Sequence, residues 1–356
     1  GQKREMSRFL NEKYAGFEAY TPGEQPRDMK YIKLNTNESP YPPSNGVVDA
    51  VNAQEIGRLM LYPDPECTEF RDKIAALYGF NRENIYLSNG SDDILNFAFM
   101  AFTPQNRAVF PDISYGFYSV FAQLYGVDFE RKPLKEDFSI DYRDYFNAGG
   151  MVVIANPNAP TGLMLDIKEI EEILKHNRDN VVVIDEAYID FGGRTCAELI
   201  RTYDNLLVVQ TFSKSRSMAG ARLGFAIADE GLITDLNKIK YSTNPYNINR
   251  LTLAAGCAAI DDNDYYMNNC KTIEKTREYT TNELRALGFT VLDSKANFIF
   301  AKSGRIGGQE LYSELKRRGI LVRHFDTPRI SEYNRITIGT QEQMSSFIET
   351  VKEIIR

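Results

Sequence analysis

The sequence predicts an α/β fold, a mostly parallel sheet between helices joined to a smaller α+β domain. Met151–Ala155, Val181–Asp185 and Leu206–Gln210 are continuous apolar runs rich in Val and Ile, as strands buried on both faces of a parallel sheet require. Between the first two, Asp166–His176 sets Ile167, Ile170, Ile173 and Leu174 along one helical stripe. Strand, helix and strand in that order describe a doubly covered layer. A chain of 356 residues is long for one core, which leaves room for the companion domain.

The elements follow in order along the chain. Residues 1–30 are polar, with a turn at Thr21-Pro22-Gly23, and read as an extended arm. Tyr31–Leu34 is a short strand before the loop Asn35–Ser44. Glu66–Tyr78 has helical spacing and stops at Gly79, a C-cap residue. Ile85–Leu87 and Ala108–Phe110 are strands, and Ser91–Phe102 between them is a helix whose stripe Phe97, Met100, Ala101 is core. Beyond the three buried runs, a long helix over Asp264–Leu287 closes at Gly288. Strands at Thr290–Leu292 and Phe298–Ala301, a helix before Gly319, strands at Ile320–Arg323 and Ile336–Ile338 and a last helix complete the chain. The expected division is a large domain over 30–245, with 1–29 and 246–356 forming the small domain and its arm. The glycines of Gly304–Gly308 read as a plain loop, because no strand-to-helix fingerprint surrounds them.

Composition narrows the function classes. The charge of -7 comes from acids and bases interspersed along the chain, unlike the concentrated basic face of a nucleic-acid binder. No apolar run approaches the ~18 residues of a membrane span, and GQKREMSRFL lacks the apolar centre of a signal peptide. Four cysteines without CxxC spacing read as reduced thiols, and two histidines are too few for a His-rich metal site or an easy triad. The expectation is a cytoplasmic protein acting on small molecules, without metal, nucleic acid or membrane.

Chemistry concentrates in three segments, each just past the end of a buried run: Asn156–Gly162, Asp185–Tyr188 and Thr211–Ser215 with Arg222 beyond it. Open α/β sheets place ligands at such ends. An aldehyde cofactor with a pyridine ring and a phosphate tail needs an amine, an anion for the ring nitrogen, donors for the ring oxygen and phosphate, and an aromatic face. Lys214 offers the amine. Asp185 closes a strand, where a buried carboxylate stays ionised only beside a cation. Tyr188 and Asn158 can donate to the ring oxygen, and Ser213 and Arg222 suit the phosphate. Gly90, Ser91 and Asp92 open a helix whose free N–H groups attract an anion. Asp185-Glu186 also resembles the acid pair of a nucleotide hydrolase, but no GxxxxGK[ST] loop accompanies it.

These segments resemble the fold-type I pyridoxal-phosphate (PLP) aminotransferases, and nearly the whole chain is similar to the histidinol-phosphate aminotransferase family. The likeness extends to Leu34–Pro40, Leu61–Asp64, Ser88–Asp93, Tyr115–Tyr118, Asn297-Phe298 and Arg335–Gly339, in the family's order. The resemblance implies a seven-stranded large-domain sheet and transamination of L-histidinol phosphate with 2-oxoglutarate. Its alternatives are an aromatic amino-acid aminotransferase and an O-phospho-amino-acid decarboxylase. It makes Lys214 the cofactor-bearing lysine, Asp185 the partner of the pyridine nitrogen, Tyr188 and Asn158 the ring-oxygen contacts, and Tyr115 the stacking ring. Gly90, Ser91, Asp92, Ser213 and Arg222 form the phosphate site. Tyr62 reaches the phosphate of a neighbouring subunit, which implies a homodimer. Arg335 takes the substrate carboxylate, with Tyr20, Asn37 and Arg323 at substrate-side positions. His324 reads as a loop histidine. The chain departs from the family at Ala159, where many relatives carry Asn, leaving Asn156 as an alternative to Asn158. It departs again at Ile113-Ser114 before Tyr115 and at the polar run Ser215–Met218.

Overall fold

The computed structural model describes residues 5–356. The first four residues of the expected arm lie outside them. The arm is extended apart from one short helix, α1 (Glu12–Ala15), capped by the Asn11 side chain, and leads into strand β1 (Ile32–Lys33). Helices α2 (Asn45–Ala50) and α3 (Ala53–Ile56) start on Ser44 and Asn52, whose side chains accept early N–H groups as N-caps should. α4 (Thr68–Tyr78) stops at Gly79, φ 75°, a left-handed position that glycine takes without penalty.

Alternation then builds the large sheet: β2 (Ile85–Ser88), α5 (Ser91–Ala101), β3 (Arg107–Pro111), α6 (Phe117–Leu124), β4 (Asp128–Lys132), β5 (Met151–Ala155), α7 (Ile167–Lys175), β6 (Val182–Asp185), β7 (Leu206–Thr211) and β8 (Gly224–Ala228). The strand order is β2-β8-β7-β6-β5-β3-β4. Only β8 runs antiparallel to its neighbours; the other pairs are parallel. The seven-stranded, mostly parallel sheet expected from the sequence is therefore present. Alternate residues of its central strands feed opposite cores. Val152, Ile154, Val182 and Ile184 face one core, and Met151, Val153, Val183 and Leu207 face the other. Each fully buried Val or Ile contributes about 1.5–3 kcal/mol of burial, so the central strands are rigid supports for whatever sits at their ends. α7 starts with a capping box between Asp166 and Glu169.

The remainder comprises α8 (Glu230–Thr243), α9 (Arg250–Asp261), α10 (Asn263–Ala286), β9 (Phe289–Val291), β10 (Phe298–Ser303), α11 (Gly308–Arg317), β11 (Ile320–Leu321), β12 (Arg323–His324), β13 (Asn334–Thr337) and α12 (Gln341–Ile354). Strands β12-β13-β10-β9 form a second, antiparallel sheet. Its core joins Ile299 and Ile336 to Leu284 of α10 and Phe347 of α12. The single strand expected over Ile320–Arg323 is two. Ile320 and Leu321 pair in parallel with β1, whereas Arg323 and His324 pair with β13, so the chain changes sheets between them. α9 packs against α2 and α4.

Candidate active site

Three strand ends finish side by side, with Ala155, Asp185 and Val209 in register across β5, β6 and β7. Asp185 is 4 % exposed. The Tyr118 hydroxyl donates to one carboxylate oxygen at 2.7 Å and the Ala187 N–H to the other at 3.2 Å. Burial pushes its pKa up to about 6 against the pull of the Tyr118 hydrogen bond. Among the described residues it has no salt bridge. Glu186, its buried neighbour, is satisfied internally by Thr195, Gln210 and the Cys196 N–H.

Lys214 emerges past β7. Its Nζ donates to the Thr36 carbonyl at 3.2 Å and lies 5.7 Å from the centre of the Tyr188 ring. The Tyr188 hydroxyl accepts from Asn37 Nδ2 at 3.0 Å, and its ring meets Phe298 edge-on. Asn37, at φ 58°, is fixed on all sides: its N–H donates to Thr337 Oγ1, its Oδ1 accepts from that hydroxyl, and its carbonyl accepts from Asn297. Its polar groups are thus engaged with the protein. Asn156 is likewise committed, bonded through both amide atoms to the Leu165 backbone. Asn158 donates to the Ile113 carbonyl at 3.0 Å and is held by the Ser114 hydroxyl at 2.7 Å.

The start of α5 forms a cradle. Gly90 turns the chain at φ 78°, ψ 166°, and no side chain caps the helix, so its first N–H groups face outward. Arg222 crosses the opening. Its Nη1 donates to Ser213 Oγ at 3.3 Å, its Nη2 lies 4.0 Å from Asp92, and a Cβ on Gly90 would lie 2.6 Å from Nη2. The Tyr115 hydroxyl donates to Asp92 at 2.8 Å. Burial raises the Asp92 carboxyl, opposed by Tyr115 and Arg222.

Arg323 and Arg335 face each other across β12 and β13. Arg335 Nη2 donates to the Asn35 carbonyl at 2.9 Å, while its Nε is buried without a partner. Its guanidinium lies over Phe298 and Phe325, and that of Arg323 over Phe325. Among the described residues neither arginine has a salt bridge. Burial lowers the Arg335 pKa, and adjacent Arg323 lowers it further. Paired cations without an acid between them suit an anion. The Tyr20 ring stacks on Phe117 at 3.9 Å and meets Tyr115 edge-on. His324 belongs to β12, not a loop, with Nδ1 3.0 Å from Asn334 Oδ1. Tyr62 stands apart, 77 % exposed and stacked on Tyr246 at 4.4 Å.

Sequence reasoning passed over Tyr118 and Ser114. Tyr118 had a usable signal: it lies three residues after Tyr115 at a helix start, where both rings can face one side. Ser114 had none, since its partner is 44 positions away. Among the described residues no cluster of His, Cys, Asp and Glu is arranged for a metal, and no helix is long and apolar enough to cross a membrane.

A lysine amine and a buried acid past the ends of parallel strands, an uncapped helix start beside Arg222, and an arginine pair on the antiparallel strands β12 and β13 are features that a transferase of anionic substrates would need. The family model described as "Aminotransferase class I and II" matches residues 29–351. The histidinol-phosphate aminotransferases of Brachyspira hyodysenteriae and Clostridium acetobutylicum are 52% and 47% identical over 99% and 98% of this chain and 100% of theirs. The chain belongs to the histidinol-phosphate aminotransferase family. In fold it is similar to the crystal structure of histidinol-phosphate aminotransferase from Sinorhizobium meliloti in complex with pyridoxal-5'-phosphate, with TM-score 0.84, 24% identity and 92% of each chain covered. It is also similar to L-threonine-O-3-phosphate decarboxylase from Porphyromonas gingivalis, with TM-score 0.77, 20% identity, and 91% of this chain and 99% of that one covered.

Proposed function

We propose that the protein exchanges an amino group between L-histidinol phosphate and 2-oxoglutarate, giving imidazole acetol phosphate and L-glutamate for histidine biosynthesis, with pyridoxal phosphate held on Lys214. The observation that carries this reading is the 52% identity, end to end, to a relative of that name. Chemistry supports it. Both proposed substrates are strongly anionic, one through a phosphate and the other through two carboxylates, and Arg323 with Arg335 offers paired positive charge for either.

The residues present fit the cofactor. Asp185 is a buried acid in need of a cation, the α5 start lacks a cap, and Arg222 fills the space a Gly90 side chain would take. When bound, the cofactor supplies condensation with amines and an electron sink for the charge left at the substrate Cα. Lys214 Nζ would hold it and then serve as the base that takes the substrate Cα proton and passes it to the cofactor's aldehyde carbon. Asp185 would keep the ring nitrogen protonated, and the Tyr188 hydroxyl and Asn158 amide would donate to the ring oxygen. Tyr115 would cover the ring face. Ser213, Arg222 and the N–H groups of Ser91 and Asp92 would hold the phosphate. Arg335 would take a substrate carboxylate, Arg323 the substrate phosphate, and Tyr20 the rim. Asn37 would stand at the substrate side, with one Nδ2 hydrogen on the Tyr188 hydroxyl.

The proposal extends to a cytoplasmic homodimer in which Tyr62 reaches the partner's phosphate site. Support comes from the exposed apolar run Leu59, Met60, Leu61 beside it. The large domain is proposed as 30–245 and the small one as 1–29 with 246–356, with the Asn37 bonds to Tyr188 and Thr337 near the seam. The test is a half-reaction. L-Histidinol phosphate added to the cofactor-loaded protein should convert the cofactor's absorbance to that of its amine form, and 2-oxoglutarate should restore it. Conversion by phenylalanine alone would favour an aromatic aminotransferase, and carbon dioxide from phosphothreonine a decarboxylase.

A further inference from the structure

The arm carries Tyr20 to the rim, yet its own hold on the body is concentrated four residues later. The Glu24 carboxylate accepts from Lys316 Nζ at 2.8 Å and from the Tyr312 hydroxyl, both on α11. The Glu24 carbonyl accepts from Asn35 Nδ2 at 2.9 Å, and the Asn35 carbonyl in turn accepts from Arg335. One residue earlier, Gly23 passes so close that a Cβ there would lie 2.6 Å from Thr36 Cγ2. Glu24 is thus pinned by side chain and backbone together, on a stretch otherwise largely exposed. From this anchor the chain runs back to Tyr20, whose ring rests on Phe117 near Arg323 and Arg335.

We propose that Glu24 is a positioning residue for the substrate: by fastening the arm to α11 it holds Tyr20 over the crevice. The inference rests on the reading of Tyr20 as a substrate-side residue. A competing role can be separated by sign. Glu24 also lies within electrostatic reach of Arg323. If it acted only as a charge, removing it would strengthen the pull on an anionic substrate and lower KM. If it positions the arm, removing it loosens Tyr20 and raises KM.

The experiment uses the cofactor-loaded protein with L-histidinol phosphate. Glu24→Ala should raise KM at least about fivefold with kcat within about twofold, the mark of a lost binding contact remote from the chemistry. Cofactor affinity should be unchanged. Tyr312→Phe breaks the same fastening without altering charge and should raise KM in the same direction, a second route if the alanine variant folds poorly. Tyr20→Ala sets the ceiling, and the Glu24→Ala/Tyr20→Ala double variant should be no worse than Tyr20→Ala alone. An unchanged or lowered KM for Glu24→Ala, or losses that add fully in the double variant, would overturn the inference. A Tyr20→Ala variant with ordinary kinetics would remove the reading of Tyr20 and the inference with it. Failure of the unaltered protein to turn over L-histidinol phosphate would instead strike the substrate assignment itself, so the failures are distinguishable.

Discussion

Asp185 has hydrogen bonds but, among the described residues, no salt bridge. A carboxyl in that state is costly to ionise, and its pKa of about 6 lies above the ordinary 3.8. The consequence for stability has a definite sign. A folded-state pKa above the unfolded one favours folding fully below about pH 4, and the advantage is lost as pH rises through 6. At pH 8 the ionised Asp185 of the cofactor-free protein costs on the order of 3 kcal/mol. Asp185→Asn should therefore raise the melting temperature of the cofactor-free protein at pH 8 and leave it nearly unchanged at pH 4. In the loaded protein the advantage should vanish, because the ring cation compensates the acid. A cofactor-free variant less stable than wild type at pH 8 would mean the acid is already compensated. Asp185 and Lys214 were legible because strand ends fix where such residues point. For Tyr118, which holds Asp185, the sequence offered only its spacing from Tyr115; the bond itself was not legible, because the two residues lie 67 positions apart and only the folded sheet brings them together.

At the scale of elements, legibility followed burial. β5, β6 and β7 are buried along their whole length and showed as unbroken apolar runs. β4, Asp-Phe-Glu-Arg-Lys at the sheet edge, has one polar and half-exposed pattern after another and gave no such signal. β8, Gly-Phe-Ala-Ile-Ala, is buried but sets small residues between its two large ones, and its reversed direction has no sequence mark. The β2–α5 turn is the element most sensitive to a single atom. Gly90 occupies φ 78°, ψ 166°, a region essentially confined to glycine, and its missing Cβ leaves room for the Arg222 guanidinium. Gly90→Ala should cost about 1–3 kcal/mol of stability. It should also weaken pyridoxal-phosphate binding at least about tenfold by displacing Arg222 from the cradle. Fluorescence titration of the cofactor against a chemical-denaturation curve separates the two effects. Lost stability with full affinity would place the phosphate elsewhere.

Across the whole molecule, the proposed second copy can be tested at the exposed stretch around Tyr62. Met60 and Tyr62 are 84 % and 77 % exposed, on a stretch that stacks on Tyr246 and takes an Arg250 hydrogen bond at the Tyr62 carbonyl. Such an ordered, apolar and exposed stretch is costly unless a partner covers it, and a two-fold dimer covers the same patch twice. If Tyr62 serves the neighbouring phosphate site, two defective chains can repair each other. Lys214→Ala should be inactive, and Tyr62→Phe should bind cofactor weakly. In a heterodimer, the intact Lys214 of the Tyr62→Phe chain would be served by the intact Tyr62 of the Lys214→Ala chain. Random reassociation of an equal mixture makes half the dimers mixed, each with one whole site, so activity should return to about a quarter of wild type. The assay belongs at a cofactor concentration that saturates wild type but not Tyr62→Phe. If Tyr62 serves its own chain, every site in the mixture stays defective and the activity remains at the sum of the two parents.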